Sequence, residues 1–188
     1  MSRMDSHGDD GRRRFPRLFE ESYVDYAGAR VAYSGGAPPD ELVSRLHLVA
    51  VTEGAEVVVC RSARGERFLP GGTREPGESL LDLARRELAE EAGAELLGEL
   101  VHFSAHRADS HLDRPYRHHL PHPRAYWGYA VGRVQIVGPP LNPVDGEQVV
   151  QVLTMPPQEA ADYLGDEDPI HSDVLRHAIA LGLLHQSQ

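Results

Sequence analysis

Three glutamates constrain this 188-residue chain more than any other feature: Glu87, Glu90 and Glu91, spaced i, i+3 and i+4 inside a segment with helix signals at both ends. Ser79 reads as an N-cap with Asp82 in the capping-box position, and Gly93 as the C′ residue that ends the helix. A 3.6-residue period crowds the three carboxylates onto one face and leaves Leu81, Ala84, Leu88 and Ala92 as the stripe to bury. Like charges at this spacing each cost an isolated helix a few tenths of a kcal/mol. They also lie in the last turn, where the helix dipole disfavours anions. Helix stability alone does not select such a pattern. Two readings remain for it: a solvated acidic face partly compensated by Arg85 and Arg86, or a set of hard oxygen ligands for Mg²⁺ or Mn²⁺.

The surrounding residues narrow the choice. From Gly72 to Ala94 the chain reads GTREPGESLLDLARRELAEEAGA, which fits Gly-x5-Glu-x7-Arg-Glu-apolar-x-Glu-Glu-x-Gly-apolar. At ordinary residue frequencies such a match arises by chance at roughly 10⁻⁹ to 10⁻⁸ per starting position. The segment resembles the signature box of the Nudix hydrolase superfamily, with Ala94 smaller than the aliphatic residue usual at that packing position. Arg61 followed by Phe68-Leu69-Pro70-Gly71-Gly72 resembles the family's approach to the box, and Glu147 through Leu164 its late strand and Pro-initiated helix.

The resemblance implies an α/β/α sandwich on a mixed β-sheet, with the box as a loop–helix–loop. It also implies Mg²⁺-dependent hydrolysis of a phosphoanhydride in a nucleoside diphosphate linked to another group. Mn²⁺ is a possible substitute. Glu87 and Glu91 are then the principal metal ligands, and Glu90 is a further ligand or the base that takes the proton of the attacking water. The Gly72 carbonyl can approach the ion closely because the residue has no side chain. Glu78 supports the cluster, and Arg86 orients a glutamate by charge-assisted hydrogen bonding. Relatives often recruit an extra acid from a late loop, for which Glu147 is the first candidate and Asp145 the second. Arg61 and Arg74 flank the box as exposed side chains or phosphate contacts.

Along the rest of the chain, residues 1–20 read as a flexible tail, 21–44 as an extension with a hairpin or dimer contact over 22–34, and 45–188 as the Nudix-like domain. Leu46–Val51, Ala55–Cys60, Leu97–Ser104, Ala125–Val137 and Glu147–Thr154 have strand character, and residues 170–184 the spacing of a packing helix. Six histidines between His102 and His122 (with His106, His111, His118 and His119) suggest a mobile, substrate-specifying loop, ahead of an ordinary surface loop or a transition-metal site, and Tyr116, Tyr126 and Trp127 either stack on a base or pack in the core or rim.

Composition removes several function classes. The formal charge is −10 and concentrated: residues 72–99 hold eight acids against three arginines, and residues 159–173 hold six acids and no base. The first deficit suits substrate-bridging cations, and the second reads as solvated surface. The basic cluster Arg12, Arg13, Arg14 and Arg17 lies in the polar tail, so no nucleic-acid grip is expected. No run approaches the ~20 apolar residues of a membrane span, and no apolar stretch follows the N-terminal basic residues as in a secretory signal. The single Cys60 follows Val57-Val58-Val59 and reads as a buried strand thiol in a reducing, cytoplasmic setting. Its position argues against an isopentenyl diphosphate isomerase on the same fold. The alternative to an enzyme is a nucleotide-sensing module without turnover. Noncanonical or ordinary nucleoside triphosphates, nucleoside diphosphate sugars and ADP-ribose all remain as substrate classes.

Overall fold

The computed structural model describes residues 11–185. Nine strands form one sheet: β1 (Ser22–Val24), β2 (Ala29–Gly35), β3 (Val43–Thr52), β4 (Val57–Ser62), β5 (Arg67–Phe68), β6 (Gly71–Thr73), β7 (Ala94–Ser110), β8 (Arg124–Ile136) and β9 (Val149–Met155). The order is β1-β2-β7-β8-β3-β4-β5, with β6 also paired to β3 and β9 to β4. β3 and β8 run parallel, while the other pairings described are antiparallel, so the sheet is mixed.

The alternation of β3 builds two cores. Leu46, Leu48 and Ala50 face α1 (Leu80–Glu87) and meet Leu83, Ala84 and Leu88. Val49 and Val51 point the other way, toward Leu164 of α2 (Pro157–Gly165) and Val174 and Leu175 of α3 (Pro169–Ala180). Helices therefore cover both faces, which is the α/β/α sandwich that the box implied.

Residues 22–35 form an antiparallel hairpin whose second strand pairs with β7, so this extension continues the sheet. Of the expected flexible tail, residues 1–10 lie outside the described residues, but 11–20 are packed. Leu18 is fully buried and Phe15 nearly so, both in the α2–α3 core, and Arg17 Nε reaches Asp173 at 3.1 Å. Isolated apolar residues among arginines carry no periodicity, so only the receiving surface reveals this contact.

One further expectation is corrected and one is refined. The strand predicted over Leu97–Ser104 continues to Ser110, so His102 and His106 lie in β7 and not in a loop. His106 is buried and shares a 2.9 Å hydrogen bond with the Tyr129 hydroxyl. The acid-rich segment 159–173 is largely partnered. Asp162 pairs with Arg176 at 2.6 Å, Asp166 with Arg67 at 2.8 Å, and Asp173 with Arg17, while Asp168 caps α3 by accepting from the His171 amide at 3.0 Å. No helix among the described residues is long and apolar enough to cross a membrane.

Candidate active site

The box begins as the sequence requires. Ser79 Oγ accepts from the Asp82 amide at 3.1 Å, α1 starts at Leu80, and Gly93 closes the element with φ +58°. A side chain at Gly93 would collide with the Gly138 carbonyl. Between these ends the helix changes character, because Leu88–Ala92 forms a π-helical turn. The last four carbonyls of a helix lack intrahelical partners. Two of them find partners in the loop after β8: the Leu141 amide donates to the Ala89 carbonyl and the Asn142 amide to that of Glu90, both at 3.1 Å. A third contact comes from β4, where the buried Cys60 thiol donates to the Glu91 carbonyl at 3.3 Å. Burial, with the nearby Glu91 charge, pushes that thiol far above its ordinary range, which makes it an inert packing group.

Four carboxylates gather on one guanidinium or beside it. Arg86 Nε and Nη2 clasp Glu78 at 2.8 and 3.1 Å, and Nη1 donates to Glu87 at 2.8 Å and to Glu90 at 3.3 Å. Arg86 Nη2 also donates to the Thr73 carbonyl at 3.1 Å, tying the helix to β6. Burial raises the proton affinity of Glu78, but the Arg86 bonds and the Glu75 amide outweigh it and hold the carboxyl below its usual range. For Glu87 the balance reverses: burial outweighs Arg86, and its affinity rises.

Glu91 has no such cation. Its carboxylate is buried and accepts from the Gly71 amide at 2.9 Å. Burial above all, then the charges of Glu87, Glu147 and Glu90, push it up to about 8 despite that amide. The adjacent glycines are required by space. A Cβ on Gly72 would overlap the Glu87 carboxylate, and one on Gly71, at φ +153°, the Leu46 carbonyl.

Glu87, Glu90 and Glu91 line a cleft of about 250 Å³ together with Gly72, Asp145 and Glu147. Thus both late-loop acids named from sequence reach the box. Glu147 also holds Arg64 at 3.0 Å. Arg74 does not face the cleft as a free cation, since its guanidinium is spent on the Glu78 carbonyl and on Asp40. Among the described residues, no three His, Cys, Asp or Glu side chains are arranged to hold a metal ion, because Glu87 and Glu90 rest on Arg86 and Glu91 on Gly71. The sequence pattern did not single out Arg45 or His47, which stand on β3 beside this cleft.

Among solved structures, the chain is similar to a mutant of the Bacillus subtilis pyrophosphohydrolase BsRppH, with a TM-score of 0.59 and 13% identity over 88% of this chain and 99% of that one. It is also similar to the E. coli ORF135 protein, with a TM-score of 0.47 and 21% identity over 81% of this chain and 100% of that one. No curated protein matches it. At 13% identity the first likeness speaks to the fold, whereas family assignment rests on sequence: a NUDIX domain model matches residues 42–178, and the chain belongs to the Nudix hydrolase superfamily.

Proposed function

We propose that the chain hydrolyses a phosphoanhydride (pyrophosphate) bond in a nucleoside diphosphate-X type substrate, with Mg²⁺ or Mn²⁺ as cofactor. The observation that carries this reading is the convergence of Glu87, Glu90, Glu91 and Glu147 in one cleft at the Gly71–Gly72 edge. The donor set suits a hard divalent cation: all its atoms are oxygens, and two of the carboxylates are buried with raised proton affinity. A cation offsets the burial and the mutual repulsion that raise their proton affinity. When bound, it neutralises phosphate oxygens and acidifies water.

The chain's own residues divide the remaining work. Glu87, Glu91 and the Gly72 carbonyl hold the cation, with Glu90 as further ligand or as proton acceptor. Arg86 is a positioning residue, since all three of its nitrogens are engaged by Glu78, Glu87, Glu90 and Thr73. Glu78 keeps Arg86 in that orientation. Glu147, which lines the same cleft, serves as the late-loop carboxylate, a metal ligand or base.

A panel of nucleoside triphosphates, nucleoside diphosphate sugars and ADP-ribose, assayed for phosphate or nucleotide release with Mg²⁺ or Mn²⁺, tests the reading. Glu91→Gln should abolish turnover while leaving the fold intact. A wild type that binds a nucleotide tightly yet is inert across the panel would be a sensor instead.

A further inference from the structure

Most cations around the cleft are already spoken for. Arg86 and Arg74 are bonded through all three nitrogens, and Arg64 lies on Glu66 and Glu147. Arg45 differs. Its Nη1 donates to the Tyr26 hydroxyl at 3.1 Å, but its Nε is buried and has no partner among the described residues. Two residues along β3, on the same face of the sheet, His47 repeats the pattern with a buried, unpartnered Nδ1. An orphaned buried polar atom costs its full desolvation, so two adjacent ones on one strand face call for a missing partner, an acceptor for Arg45 Nε and, with the ring proton on Nδ1, for His47 as well.

Their location says what that acceptor is. His47 is the register partner of Gly71, whose amide holds Glu91 at 2.9 Å. Arg45 and His47 line one cavity with Gly71, Glu91 and Glu147. Arg45 also lines a second cavity, of about 370 Å³, with Tyr26, Tyr116 and Trp127, and its guanidinium lies 5.9 Å from the Trp127 ring centre. The nearby carboxylates do not satisfy either donor: Asp168 accepts from the His171 amide at 3.0 Å, and Glu147 holds Arg64. The order is therefore aromatic cavity, free donors, carboxylate cleft. A nucleoside diphosphate has the same order of base, flanking phosphate and scissile phosphorus.

We propose that Arg45 Nε and His47 Nδ1 form an oxyanion site for the phosphate next to the scissile one, with the aromatic base of the substrate against Trp127. This rests on the phosphoanhydride reading above and adds to it the residues that hold the flanking phosphate and the base. The flanking phosphate is held by the chain itself, independently of the cation.

Calorimetric titration of inorganic pyrophosphate and of ADP in EDTA tests it on the full chain, with circular dichroism confirming the fold of each variant. Arg45→Gln and His47→Asn should each weaken both probes by about ten- to a hundredfold, the worth of one hydrogen bond to a charged group. Trp127→Leu should weaken ADP and leave pyrophosphate unchanged. Wild-type protein with no measurable affinity for either probe, or folded Arg45→Gln and His47→Asn proteins that bind within twofold of wild type, would overturn the proposal. The two readings fail separately. An inert wild type whose metal-free binding still depends on Arg45 removes the hydrolase reading alone. Full turnover with unchanged KM and unchanged probe affinity in Arg45→Gln removes the oxyanion site alone.

Discussion

Replacing Glu91 with Gln should stabilise the metal-free protein while it abolishes turnover. Glu91 is raised from 4.5 to about 8 in the folded chain, with burial as the main cause. Between those two values the native state binds more protons than the unfolded one, so stability falls as pH rises through the window, and the cost is complete above pH 8. At about 1.4 kcal/mol per tenfold in proton affinity, the ionised carboxylate costs about 3 kcal/mol at pH 7. Gln keeps an oxygen that can accept from the Gly71 amide, 2.9 Å from the carboxylate in the native chain. Its own buried NH₂ takes back a share, since an amide without a partner costs about 1–3 kcal/mol. The net gain is about 1–2 kcal/mol at pH 7, which for a chain of this size is on the order of 2–8 °C in Tm. Urea or thermal unfolding in EDTA at pH 5, 7 and 8 measures it. The gain should be largest at pH 8 and give way to a small net loss near pH 5, where the cost of the buried amide outweighs what is left of the carboxylate's. A Glu91→Gln protein that is less stable than wild type at pH 8, or whose difference from wild type does not change with pH, would falsify the assignment of this carboxylate as a buried, uncompensated charge.

Arg86→Gln should act in the opposite direction. It leaves Glu78 and Glu87, both about nine-tenths buried, without their cation. Breaking a buried pair costs about 3–5 kcal/mol, and the partial exposure of Arg86 reduces this to about 2–4. Because the depressed affinity of Glu78 stabilises the fold only above its unfolded value, the loss in urea melts should shrink as pH falls toward 4. Leu18→Ala tests the packed N-terminal segment. Leu18 is fully buried, so truncation should cost about 2–5 kcal/mol in denaturant unfolding. A change within about 0.5 kcal/mol, the range of exposed sites, would mean that the segment does not contribute to the core.

Much of the box was legible because its signals are local. Ser79, Asp82 and Gly93 act on backbone groups within a few residues, so the helix limits follow from the chain itself. Cys60 was legible in the same way, as a thiol inside a run of valines that faces a helix. The length of β7 was not, because the strand continues as far as its neighbours offer hydrogen bonds. β7 reaches Ser110 by pairing with the N-terminal hairpin on one side and β8 on the other. The same distinction separates the acids. Those in the box stay short of cations, whereas Asp162, Asp166 and Asp173 meet arginines 14, 99 and 156 residues away.

By itself, the sequence determined which residues are available for chemistry: three glutamates at helical spacing, an arginine and two glycines at fixed offsets, and the family they identify. Only the tertiary structure decided what each of them faces. Spacing sets Glu87 and Glu91 alike, yet one lies beside a guanidinium and the other beside a backbone amide. Between them the helix passes into a π-helical turn, whose Ala89 and Glu90 carbonyls accept from the loop after β8. A hydrogen bond from 52 residues away has no signature in the local pattern. The same holds for Arg45 and His47, ordinary strand residues until β6 and β8 bring a carboxylate cleft and an aromatic wall to either side of them.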